Sequence, residues 1–142
     1  MSIFTSKRGR RTANVSFFYM LDKLNAFIRQ KGSPLDEDER FSVLEEMTTD
    51  LSPENKLNLL IYDGDILFLH NNCKDSLYIR KGDETVTVST KPLSHEPWEH
   101  APFTRLAAYK DGQLRRMGKS HGQEYIPDPE SIKLLYLMYS HL

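Results

Sequence analysis

The chain has 142 residues, 19 Lys and Arg against 20 Asp and Glu, and a formal net charge of −1. That length suffices for one domain with a real core, and the balanced charge gives no electrostatic case for nucleic acid or membrane as the main partner. A single cysteine, Cys73, excludes an internal disulfide and a multi-cysteine metal site, which fits a reducing, cytoplasmic setting, and no apolar run reaches the length of a membrane span.

Residues 1–11 carry Lys7, Arg8, Arg10 and Arg11 around Gly9 and read as a basic flexible tail, with nucleic-acid contact as the alternative for that block. Residues 12–142 read as one α+β domain. From Val15 to Lys31, Phe17, Leu21, Leu24 and Ile28 fall at helical spacing, and Phe18 and Phe27 widen the stripe. Gly32 ends this helix. Ser33-Pro34 then reads as a cap and first helical residue, with Asp36, Glu37 and Asp38 near the positive end of the helix dipole. The second helix runs to about Thr49 and presents Phe41, Leu44 and Met47 inward, with Leu51 at its end.

The sheet follows. Leu57 to Tyr62 and Ile66 to His70 are near-continuous apolar runs around Asp63-Gly64-Asp65, a strong hairpin signal, and both strands should be buried on two faces. Ser76 to Arg80 and Glu84 to Thr90 form a second hairpin around Gly82-Asp83, whose alternation predicts one face that is wet or only partly covered. Residues 91–102 hold Pro92, Pro97 and Pro102, which forbid a continuous helix or central strand, and Trp98 should pin this extended connection to the body. Phe103 to Tyr109 and Leu114 to Met117 make a third hairpin around Asp111-Gly112. Gly118 to Pro127 reads as irregular and exposed. Asp128-Pro129-Glu130 caps a last helix containing Ile132, Leu134, Leu135, Tyr136, Leu137, Met138 and Tyr139, apolar nearly all round. Such a helix is expected either to pack under the sheet or to dock on another chain.

Chemistry-bearing residues are sparse. Cys73 with His70 three residues earlier could form a thiol–imidazole pair, but both sit at a strand end and nothing nearby would orient the imidazole. His95 and His100 flank Glu96 and Glu99 on a proline-rich segment, a spacing that matches no recurring metal site. Asp63 and Asp65 lack the run of oxygen ligands that calcium requires and read as turn residues. Phosphate loops, serine nucleophile elbows and kinase signatures are absent, so no catalytic, cofactor-binding or metal-binding residue is assigned.

The strand motifs are more specific than the composition. Leu57-Asn58-Leu59-Leu60-Ile61-Tyr62-Asp63-Gly64-Asp65, Leu77-Tyr78-Ile79-Arg80-Lys81, Val88-Ser89-Thr90-Lys91-Pro92-Leu93 with Glu96-Pro97-Trp98-Glu99, and Leu106-Ala107-Ala108-Tyr109-Lys110-Asp111-Gly112 occur in that order. Together they resemble the C-terminal half of class II glutamine amidotransferase-like proteins, over roughly residues 12–117. That resemblance implies an antiparallel sheet with helices forming half of an αββα N-terminal nucleophile hydrolase sandwich. It also implies glutamine amide hydrolysis and ammonia transfer by an N-terminal cysteine, with an Asn-Gly oxyanion pair and an arginine and aspartate gripping the substrate. Here Ser2 follows Met1, and on this resemblance the half bearing those groups is expected to lie outside these 142 residues. The family's Thr-Asp-Ser-Glu element aligns with Thr12-Ala13-Asn14-Val15, so Ala13 stands where the binding carboxylate belongs. Three readings follow: a half-domain, inactive alone, that completes its sandwich with a second chain or copy and meets glutamine only then; a non-enzymatic protein-binding module; or a hydrolase using Cys73 with His70.

Overall fold

The computed structural model describes residues 2–3 and 10–140, with side chains from residue 18 onward other than Ser131 and Leu135. The described elements run β1 (Ser2–Ile3), α1 (Arg10–Lys31), α2 (Glu37–Leu51), β2 (Leu59–Tyr62), β3 (Leu67–Asn71), β4 (Tyr78–Lys81), β5 (Val86–Ser89), β6 (Glu99–His100), β7 (Arg105–Lys110), β8 (Gln113–Met117) and α3 (Pro129–Ser140). Two antiparallel sheets result, one ordered β1-β2-β3-β7-β8 and the other β5-β4-β6. The fold is α+β.

Layering follows from the two-residue period of the strands. On one face of the larger sheet, Leu59, Ile61, Ile66, Phe68, Leu106 and Ala108 pack against Met20, Phe41, Leu44 and Met47 of α1 and α2. On the opposite face, Leu69, Ala107 and Tyr109 meet Leu77, Ile79 and Ala101 of the smaller sheet, with Leu60, Leu67, Val86 and Val88 at the margins. Helices, large sheet and small sheet are thus three layers in order. Each fully buried large side chain, such as Phe68 or Ile61, contributes roughly 1.5–3 kcal/mol.

This arrangement corrects one expectation drawn from the resemblance. The doubly apolar β2 and β3 do not wait for a missing half to cover them, because the β4–β5 hairpin folds over the face that the helices leave open. Nor does α3 pack under the sheet: Leu134, Tyr136, Leu137, Met138 and Tyr139 are all more than half exposed. The smaller sheet is only partly covered on its outer side, one of the two outcomes its alternation allows. Tyr78, Arg80, Thr87 and Ser89 lie there, and His100 joins them with its ring 4.8 Å from that of Tyr78.

Local signals decide the element ends. Gly32, at φ +74°, terminates α1 by donating its N–H to Ile28 O at 2.9 Å. The cap of α2 is Asp36 rather than Ser33, since its carboxylate accepts the Glu39 N–H at 2.8 Å and so stabilises the ionised form; its pKa is lowered accordingly. Helix α1 starts at Arg10, within the stretch read as a tail, and Ser2–Ile3 pair with Ile61 and Tyr62 at the sheet edge. Thr12 to Val15 lie inside α1, not ahead of it; their side chains, like that of Phe17, are outside the described set. The inward face of α1 centres on Met20, with Tyr19, Leu24 and Phe27 beside it, while Phe18 and Ile28 of the expected stripe are exposed.

In the proline-rich connection, Glu99–His100 adds a two-residue edge strand to β4, bounded by Pro97 and Pro102. Trp98 is half-buried: its Nε1–H donates to Ser94 Oγ at 3.1 Å and the Arg80 guanidinium lies 5.9 Å from its ring. The β7–β8 turn is the two-residue Asp111-Gly112, both at positive φ, as a type I′ hairpin requires. A bulge between Ala108 and Tyr109 leaves Arg115 unopposed and sends it with Arg116 to α2, where they pair with Glu37 and Asp38.

Gly112 is also where the two sheets touch at their ends. A Cβ there would lie 2.4 Å from Thr85 N and 2.5 Å from Glu84 C, against backbone that cannot yield without moving the β4–β5 hairpin. At Gly64, also at positive φ, a Cβ would meet nothing within 4 Å. Gly64→Ala therefore incurs only backbone strain, roughly 1–2 kcal/mol, whereas Gly112→Ala adds displacement of the smaller sheet. Urea unfolding should give a clearly lower midpoint for Gly112→Ala; equal midpoints would show that the sheets do not bear on each other there.

Candidate functional site

The densest group of buried polar side chains lies where β3 ends and β7 begins. His70, Asn71, Asn72, Ser52 and Thr104 are each no more than 5 % exposed, with the half-buried His121 against them. Four chain segments converge there: the C-terminal end of α2, the β3 end, the start of β7, and the irregular stretch after β8.

Its origin is the early end of the β2–β3 ladder. The last paired residues are Leu59 and His70, two residues inside the apolar run. Beyond them the Leu57 N–H donates to Asn72 Oδ1 at 2.7 Å and Leu57 O accepts from His70 Nδ1 at 2.8 Å. Two side chains thus replace a rung of backbone pairing. Asn72 also donates through Nδ2 to Asn55 O at 2.8 Å, which ties α2's exit to β3. Asn71 Oδ1 accepts the Cys73 N–H and the Ser76 hydroxyl, shaping the turn toward β4.

The hydrogen bonds fix the tautomers of both imidazoles. A carbonyl can only accept, so His70 carries its proton on Nδ1 and presents a bare Nε2. That nitrogen lies 2.9 Å from His121 Nε2, which must therefore be protonated. His121 Nδ1 is then bare, and it accepts the Gln123 N–H at 3.0 Å. The ring centroids are 5.2 Å apart with planes inclined by 25°, so the rings meet edge to edge, as an N–H···N bond demands. Ser52 Oγ donates to Thr48 O at 2.5 Å and stands 3.3 Å from His121 Nε2 as a second acceptor. Burial, with the neighbouring His121, pushes the His70 pKa down to about 4 against the pull of Leu57 O, and burial lowers that of His121. Both rings are neutral at pH 7.

Thr104 is strained. Its φ of +51° is unfavourable for a β-branched residue, yet its N–H donates to Asn71 O at 2.7 Å, its carbonyl accepts the His121 N–H at 2.9 Å, and its hydroxyl lies 2.6 Å from Ser120 Oγ. Three bonds, one to the end of β3 and two to the stretch after β8, hold it there.

Known proteins add nothing: the chain matches no family model, no curated protein and no solved structure. The site's chemistry is read from its atoms alone.

The structure does not bring the thiol–imidazole pair together. Both nitrogens of His70 are committed, to Leu57 O and to His121, and Cys73 is 4 % exposed. Around His95 and His100, Glu96 pairs with Arg80, Glu99 with Lys81 at 3.3 Å, and His100 Nδ1 lies 3.6 Å from Asp75. Among the described residues no three His, Cys, Asp or Glu side chains converge as a metal site would need. Asp63 and Asp65 organise the hairpin turn: Asp63 Oδ1 accepts the N–H groups of Asp65 and Ile66, its Oδ2 lies 2.8 Å from Arg40 Nε, and Asp65 pairs with Lys110 at 2.8 Å. An open groove of about 400 Å³ beside Phe27, Leu35 and Val43 has Arg116 and Glu39 on its rim, already paired with Asp38 and Lys31. Asn71, Asn72, Thr104 and His121 were not singled out by the sequence reading. The available signal was a polar His70-Asn71-Asn72 run directly after a doubly apolar strand.

Two outcomes follow. His70 is a base whose folded pKa lies below its ordinary 6.5, so the unfolded chain binds more protons between pH 6.5 and 4. Its contribution is complete above pH 6.5 and is lost as pH falls toward 4, on the order of 3 kcal/mol. Unfolding free energy measured across that range should fall less steeply in His70→Gln, which does not titrate. Cys73 should react with iodoacetamide at least roughly tenfold more slowly in the native chain than in urea, because its burial makes modification wait on opening; equal rates would mean the thiol is reachable.

Proposed function

We propose that the chain is the C-terminal half of a class II glutamine amidotransferase-like domain, without a nucleophile of its own, that acts by completing its β-sandwich with a second polypeptide. The observation that carries this reading is the uncovered inner face of β8. Leu114 and Met117 stand opposite Tyr109 and Ala107, on the face of the larger sheet that the smaller sheet buries elsewhere. They are nonetheless 48 % and 40 % exposed, at an edge strand with no neighbour beyond it among the described residues. An apolar interior position beside an open strand edge is a template for strands supplied by another chain.

Glutamine would be handled only by the completed assembly, and no residue of this chain is assigned a catalytic role. With one unpaired, buried cysteine and no described helix long and apolar enough to cross a membrane, the reading places the work in the reducing cytoplasm. A second reading, a protein-binding module without enzymatic activity, draws on α3, where Leu134, Tyr136, Leu137, Met138 and Tyr139 are exposed and uncovered by any of the described residues.

The two separate by mutation. The purified chain should release no ammonia from glutamine and should self-associate or capture a partner at micromolar concentration, as seen by light scattering. Leu114→Glu with Met117→Glu should abolish that association while Leu137→Glu with Met138→Glu leaves it intact. The reverse pattern would favour the α3 module. A clean monomer that binds no hydrophobic dye, or glutamine turnover lost in Cys73→Ser, would overturn the half-domain.

A further inference from the structure

The stretch from Gly118 to Tyr125 has no regular structure, yet it is tied to the sheet end at three backbone points. Gly118 N–H donates to Leu106 O at 2.7 Å, His121 N–H to Thr104 O at 2.9 Å, and Tyr125 N–H to Asn72 O at 2.7 Å. It is laid across β7 and β3 like a strap. No apolar core holds it there: Lys119, Ser120, Gly122, Gln123 and Glu124 are exposed, and only Gly118, His121 and Tyr125 are half-buried. Its side-chain anchors in the sheet end are His121, bonded to the fully buried His70, and Ser120, whose hydroxyl lies 2.6 Å from that of Thr104.

The His121 anchor has a single allowed protonation state. Leu57 O, His70, His121 and the Gln123 N–H form a chain in which every ring nitrogen already has its role, two as donors and two as acceptors. A proton added to His70 Nε2 would set two N–H groups against each other. A proton added to His121 Nδ1 would set it against the Gln123 N–H. Either cation breaks a bond of the anchor, and neither finds a carboxylate in place of the lost acceptor.

We propose that residues 118–125 are a latch, held shut by the doubly neutral His70–His121 pair and released from the sheet end in acid. The charged groups that face the strap are few. From α2, Glu45 accepts the Lys119 N–H at 3.1 Å; from the turn after β3, Lys74 lies 3.4 Å from Glu124 of the strap itself. Neither pair touches the imidazoles, whose neighbours from α2 and β7 are the uncharged Ser52 and Thr104. Burial lowers the affinity of both rings for protons in the closed state, in keeping with the proposal. Once lifted, His121 is a surface imidazole with its ordinary affinity. Release also frees Thr104 from two of the bonds that hold its strained backbone, so the open state gains from that side as well.

Amide hydrogen exchange on the intact chain tests this. The amides of His121, Gln123 and Tyr125 should lose protection between pH 7 and pH 4.5, after correction for intrinsic exchange, by up to about a hundredfold, the factor set by two pH units below an ordinary imidazole pKa. Ladder amides of Phe68, Leu69 and Ala107 should keep theirs. In His121→Gln, whose side-chain amide can still donate to His70 but does not titrate, the strap's protection should vary much less with pH. Nitrogen shifts of the wild-type rings give an independent reading, with the proton on Nδ1 of His70 and Nε2 of His121 at pH 7. Unchanged strap protection at pH 4.5, parallel loss in the ladder, an equal loss in His121→Gln, or the opposite tautomers would each overturn the latch.

Discussion

Burying β3 on both faces and β2 on its helix side creates the constraint on which the rest of the structure depends. Once helices cover one side and the smaller sheet the other, the strand ends have no water to take up their backbone polar groups. The ladder stops at Leu59 and His70, and Leu57 still owns a donor and an acceptor in the interior. Asn72 and His70 take them. That substitution requires further partners for the side chains themselves, since an amide and an imidazole each bring more polar atoms than they satisfy. The network therefore spreads to α2 through Asn55 O and to the strap through His121, and it ends only at groups that reach the surface.

The same constraint explains what was legible in the sequence. Hairpins were readable because Asp-Gly turns between apolar runs are local chemistry, and the inward face of α2 was readable from the spacing of Phe41, Leu44 and Met47. The cap of α2 was misplaced because Ser33-Pro34 satisfies the same local rule as Asp36; what chooses Asp36 is its carboxylate reaching the Glu39 N–H. The face of α1 departs from the expected stripe because Phe18 and Ile28 compete with Met20 for burial, and helix-to-helix packing decides that contest. The polar cluster was the least legible part. Its members lie at 52, 70–72, 104 and 121, and only the return of the strap after β8 brings His121 to His70. No local spacing encodes a pair 51 residues apart.

Charge is organised with equal economy. The bulge in β8 turns Arg115 toward Glu37, and the Arg116 guanidinium rests 4.4 Å from the Phe41 ring while pairing with Asp38. The acidic first turn of α2 thus serves both its own dipole and the fixing of an edge strand. Arg115 beside Glu37 lowers that carboxyl's pKa, and Lys110 beside Asp65 does the same at the β2–β3 turn. These exposed pairs position elements more than they stabilise them.

Where a second chain would join, on the proposed reading, follows from the polarity of the surfaces. A fourth layer laid on the smaller sheet would have to cover Tyr78, Arg80, Thr87 and Ser89, burying a guanidinium already engaged by Glu96 and two hydroxyls. That face is polar and already partly covered. The edge of β8 is different: its inner side chains are Leu114 and Met117, its helix-facing arginines are already neutralised by Glu37 and Asp38, and its outer backbone edge is free among the described strands. Strands added beside β8 would extend the existing core without stripping water from a charge. On the proposed reading, completion would proceed sideways along the sheet, with helices carried by the added strands rather than laid on the polar face already present.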